Sequence, residues 1–96
     1  MFNKYIAEII GTFVFVGIIL NITDSDDKLN PLIIGLGLAS AIYLFGNYSG
    51  GHFNPVVSFI TYLNNPKFSK ELLPYVGSQL LGGVSALYLF NHLNNN

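Results

Sequence analysis

From Tyr5 to Ile22 the chain runs for 18 residues that are apolar apart from Glu8 and Asn21. As a helix this run rises about 27 Å, close to the ~30 Å hydrocarbon core of a bilayer. Composition points to the same solvent. Only 9% of the residues are charged and 51% are hydrophobic, with a mean hydropathy of +0.49. A soluble domain carries about a quarter charged residues, and a chain this small has the most surface to cover per unit volume. Lipid, not water, fits such a chain. A secretory signal peptide fits the first run less well, because the run is long, holds a carboxylate and is followed by no A-x-A cleavage pattern. The net charge of −1, with four scattered lysines, argues against a nucleic-acid partner. The absence of cysteine excludes a disulfide framework and a thiolate metal site.

Two further spans follow. Thr23 to Asn30 is a polar connection, and Asn30-Pro31 reads as a cap followed by a proline at the first helical position. The apolar residues 31–46 predict a second helix with two small-xxx-small pairs, Gly35/Ala39 and Gly37/Ala41, which let helix backbones approach closely in lipid. Residues 72–93 predict a third, with Pro74 in its first turn and the pair Gly82/Ala86. Between them, Gly46 to Phe53 is glycine-rich and irregular, and Asn54-Pro55 offers another cap and helix start. The apolar run Pro55 to Leu63 would rise only about 13 Å, half of the core. Residues 49–63 therefore read as a re-entrant segment. The expected fold is an all-α membrane protein, one unit over residues 1–96, with three transmembrane helices at 5–22, 31–46 and 72–93 and one half-helix.

Three sequence boxes carry a resemblance, in order and on alternating spans. Ala7-Glu8-Ile9-Ile10-Gly11-Thr12-Phe13 resembles the AExxGTF of the first helix of the major intrinsic proteins, the aquaporins and glycerol facilitators. Ser49-Gly50-Gly51-His52-Phe53-Asn54-Pro55-Val56-Val57-Ser58 resembles their SGAHxNPAVT box, and Tyr75 to Gly83 their third-helix YxxxQxxGA. The resemblance covers the first of the two inverted repeats of a complete family member.

It implies a membrane channel subunit for water or small uncharged solutes such as glycerol, assembling as a homo- or hetero-oligomer with another half. The alternative is a non-conducting or regulatory membrane subunit that packs against a complete channel. Asn54, Pro55 and Val56 would be the pore box; a half-helix N-terminus there offers N–H donors and a dipole end that suit the oxygen of water or an alcohol and oppose cations. Carbonyls of Gly50, Gly51, His52 and Phe53 would line the vestibule, with His52 either facing it or pinning the loop by a hydrogen bond. Glu8 and Gln79 would support the loop, and Ile34 takes the place of a selectivity-filter aromatic. Glu8 at the interface in water and Ile34 facing lipid are the plainer alternatives.

Two departures stand out: Val56 replaces the family's alanine, and the chain has no arginine to supply the filter of a second box. No cofactor, metal site or enzymatic constellation is expected. Lys4, Lys67 and Lys70 on one side, against Lys28 with three aspartates on the other, predict a cytoplasmic N-terminus.

Overall fold

Each apolar run closes its backbone hydrogen bonds within itself, as lipid requires. A computed structural model describes residues 3–23 and 25–95, leaving Asp24 of the polar connection outside the described residues. The order is α1 (Lys4–Ile22), α2 (Asn30–Ser49), α3 (Pro55–Asn64), a one-turn 3-10 helix (Pro66–Phe68) and α4 (Ser69–Asn94). Helices α1, α2 and α4 are long and apolar enough to cross a membrane. With 10 residues, α3 rises about 15 Å and is not. The protein is thus an all-α bundle of three membrane-length helices and one half-length helix, the re-entrant architecture expected from the sequence.

Three boundaries differ from those expectations. Helix α2 runs to Ser49 rather than residue 46, so its 20 residues rise about 30 Å, the full thickness of the hydrocarbon core. Leu29 is its cap and Asn30 its first helical residue. The Asn30 amide instead donates to the carbonyls of Ile22 (3.0 Å) and Ser25 (2.8 Å), adding a side-chain donor at the end of α1, where the Ser25 N–H also bonds Ile22. Helix α4 starts at Ser69 rather than 72, which leaves Pro74 inside the helix instead of in its first turn. The extra turn is held by Glu71, whose Oε2 meets Lys4 Nζ at 2.8 Å and accepts from the Tyr5 hydroxyl at 2.7 Å. A proline so near a helix start loses only one backbone bond.

Helix α1 lies between α2 and α4, and the backbones of those two do not approach each other. The small residues make this possible. Gly82 sits on the α1 backbone, so that a Cβ added there would overlap the Ile9 carbonyl, and Ala86 is 2% exposed. On α2, Gly37 receives the Ile18 side chain and Ala41 is fully buried, while Gly35 has nothing within 4 Å of an added Cβ. Of the two small-residue pairs on α2, one makes the helix contact and the other does not.

The Lys4–Glu71 contact fixes topology. It brings the starts of α1 and α4 to one end of the bundle, and α2 runs back from the opposite end. The segment between α2 and α4 therefore enters and leaves from the Lys4 end.

Gly82→Ala should destabilise the bundle by about 1–3 kcal/mol, because backbone must move to admit the methyl. Gly35→Ala should stay within about 0.5 kcal/mol of the parent. Denaturant titration of the reconstituted chain by circular dichroism compares the two.

Candidate functional site

The turn from α2 into α3 needs backbone that few side chains allow. Gly50 ends α2 at φ 90° and Gly51 follows at φ 68°, both in the left-handed region that glycine enters without cost. Phe53 is also left-handed, at φ 51°, a conformation that disfavours a residue with a Cβ. It is retained because the Phe53 ring docks on Gly11 of α1, where an added Cβ would overlap it, and because its N–H is held.

The holding group is Glu8, fully buried one turn into α1. Its Oε1 accepts from the Phe53 N–H (2.9 Å) and from Gln79 Nε2 (2.8 Å). Its Oε2 accepts from the Ser49 hydroxyl (2.6 Å) and the His52 N–H (3.1 Å). Four donors around two oxygens suit an acceptor-only carboxylate, and charge-assisted bonds of this kind are each worth about 1.5–3 kcal/mol. Glu8 is thus not at an interface in water. Gln79, on α4, uses its second amide hydrogen on Ser58 Oγ of α3 at 2.9 Å. Four helices and the loop converge on this one cluster.

His52 lies in the loop, outside the three membrane-length helices, and its Nδ1 is 2.8 Å from Ser58 Oγ. Its ring packs against Phe68 and Tyr75, with centroids 5.3 and 4.9 Å away. The Tyr75 hydroxyl donates to the Ser49 carbonyl at 2.7 Å, closing the end of α2. Sequence reasoning assigned no role to Ser49, Ser58 or Tyr75; each sits inside one of the boxes, and Ser58, four residues after the cap, is the fourth position of α3, on the side turned to α4.

Beyond the loop, Asn54 caps α3: its Oδ1 accepts from the Val56 N–H at 2.7 Å. That leaves its amide Nδ2 and the Val57 N–H without partners among the described residues. Pro55 is the first helical residue and has no N–H to satisfy. The carbonyls of Gly50, Gly51, His52 and Phe53 accept no hydrogen bond from the described residues. Asn54 and Pro55 line a cavity of about 340 Å³ with Thr12, Phe53, Gln79 and Gly83. Val56 is on a different face, 65% exposed, beside Val57 and Ile60. Ile34 is half-buried near the start of α2, 15 residues and about 22 Å along the helix from Ser49, so it is not brought to the Glu8 cluster.

Glu8→Gln replaces an acceptor by a donor in the middle of four donors. Hydrogen exchange of the His52 and Phe53 amides should speed up by at least about tenfold, the equivalent of one lost charge-assisted bond. Exchange at α1 amides beyond Phe13 should change little.

Among the described residues no group of three or more His, Asp or Glu side chains is arranged to hold a metal ion. Comparison with known proteins gives one family, the major intrinsic proteins, matched over residues 1–96. The chain is 36% identical over 87 residues to glycerol uptake facilitator protein-like 6 of Lactiplantibacillus plantarum, covering 88% of this chain and 40% of that protein. It is 33% identical over 95 residues to aquaporin Z of Photorhabdus laumondii, covering 90% and 41%. It is 34% identical over 90 residues to the aquaglyceroporin of Toxoplasma gondii, covering 91% and 34%. No solved structure matches. The chain therefore spans less than half the length of these relatives, and it belongs to the major intrinsic protein family, a family of membrane channel proteins and not of enzymes.

Proposed function

We propose that this chain forms one half of a membrane channel for water or small uncharged solutes, completed by another half of opposite topology. The observation that carries this reading is the donor pair at the start of α3, Asn54 Nδ2 and the Val57 N–H, following four loop carbonyls, none of them with a hydrogen-bond partner among the described residues. A file of acceptors leading to donors at a helix N-terminus suits a molecule that both donates and accepts, and the dipole there opposes cations. Irregular backbone at membrane depth is tolerated where it lines a wet cavity or is covered by protein.

The outer face of α3 supports a second half. Val56, Phe59, Ile60 and Leu63 are 65%, 48%, 54% and 59% exposed, on the face of α3 turned away from α4 and the 3-10 turn, the described helices it packs on. The lysines bear on which half. Lys4, Lys67 and Lys70 fall at the end fixed by the Lys4–Glu71 contact, which favours a cytoplasmic N-terminus and one orientation for every copy. A non-identical complementary half fits that bias better than two opposed copies. The relatives, a glycerol uptake facilitator-like protein and an aquaporin among them, support a small neutral solute without choosing between water and glycerol.

Stopped-flow swelling of proteoliposomes tests the proposal, with water and glycerol gradients. Chain reconstituted with a complementary half should swell at least about tenfold faster than empty vesicles, a loss of barrier of about 1.4 kcal/mol or more. Asn54→Asp, which replaces the amide donor by an acceptor-only carboxylate, should lower that rate. Swelling at the empty-vesicle rate from folded protein would leave the second reading, a non-conducting subunit.

A further inference from the structure

The bonds around Glu8 fix the direction of every proton in the chain of contacts that leads to His52. A carboxylate only accepts, so Gln79 must turn its Nε2 toward Glu8 Oε1; the flipped amide would set oxygen against oxygen. The same Nε2 then gives its other hydrogen to Ser58 Oγ. Ser58 is fully buried, and its hydroxyl hydrogen needs an acceptor of its own. Among the described residues the one in reach is His52 Nδ1, at 2.8 Å; the remaining Gln79 oxygen is without a partner, so Ser58 does not donate there.

We infer that Ser58 and Gln79 are positioning residues that hold His52 as the neutral tautomer with its proton on Nε2, making Nε2–H a fixed donor beside Gly50. The ring is also held sterically, between Phe68 and Tyr75, and its Nε2 lies 3.5 Å from the position of a Cβ on Gly50. Nε2 has no hydrogen-bond partner among the described residues. It is the edge of the ring left for a hydroxylic solute.

An imidazolium would turn Nδ1 into a second donor toward Ser58 Oγ and strand the Ser58 hydrogen. The network thus opposes a positive charge in the loop. The groups that face the ring are Glu8 from α1, whose charge favours the cation, Tyr75 from α4, Phe68 from the 3-10 turn and the uncharged Ser58 from α3.

Nitrogen NMR of ¹⁵N-histidine chain in lipid nanodiscs tests this, in a His92→Gln background that leaves one histidine. At neutral pH, Nδ1 should resonate as an unprotonated ring nitrogen and Nε2 as a protonated one. Ser58→Ala should give mixed tautomers and raise the midpoint of His52 titration by about one pH unit, the size of one buried unmade bond. Ser58→Thr should restore the parent pattern. A protonated Nδ1 in the neutral parent ring would overturn the inference, whether or not Ser58→Ala folds. So would a folded Ser58→Ala with both nitrogens unchanged.

A permeation arm rests on the channel reading. Parent swelling should be flat from about pH 8 to 6 and that of Ser58→Ala should change on acidification. A chain that conducts nothing would sink the channel reading while the nitrogen spectrum still decides the tautomer.

Discussion

A carboxylate buried in a membrane bundle is tolerable only when every lone pair has a donor. Glu8 meets that condition with two backbone N–H groups from the loop, a hydroxyl from the end of α2 and an amide from α4. The rest of the architecture follows from where those donors must be. Ser49 has to end α2 beside the first turns of α1, and His52 and Phe53 have to present consecutive N–H groups to one side chain. That demand forces Gly50, Gly51 and Phe53 into positive φ. The dependence runs both ways, since without the loop the carboxylate would be an unpaired charge in a helix core.

This anchoring sets the depth of α3. The Phe53 ring rests on Gly11, the eighth residue of α1 and about 10 Å along it, so Asn54 begins α3 well inside the bundle. Ten residues then return the chain toward the Lys4 end, where the 3-10 turn hands it to α4. Half-length is the consequence of starting part-way. The same geometry leaves one side of α3 uncovered, because among the described helices it packs on the 3-10 turn and α4, and its contact with the loop is on the Ser58 side.

Much of this was legible in the sequence for physical reasons. Helix existence followed from apolar runs of membrane length, and the half-helix from a run too short to cross. The Asn54 cap followed from Asn-Pro chemistry and appears as an Oδ1 bond to Val56 N–H. Boundaries were less legible. The turn from Ser69 to Glu71 forms because Lys4 and Tyr5, some 66 residues away in sequence, hold Glu71. Nothing local announces that contact. Likewise Asn30 looked like a cap and instead serves the end of the preceding helix. Gly35/Ala39 and Gly37/Ala41 are alike in sequence, and only the crossing of α1 over α2 separates them. Ser58 drew no attention because a serine in a short helix carries no signal until Gln79 and His52 are beside it.

The claim on which all of this turns is that α3 stands in the bilayer rather than lying on it. The chain contains no tryptophan, so single reporters are unambiguous. Val56→Trp and Leu63→Trp, both at exposed positions of α3, would be quenched by lipids brominated at graded depths along the acyl chain. The account predicts that the Val56→Trp reporter lies deeper, near the chain ends, and the Leu63→Trp reporter about 10 Å closer to the headgroups. Equal depths for the two would mean a surface helix and would contradict it.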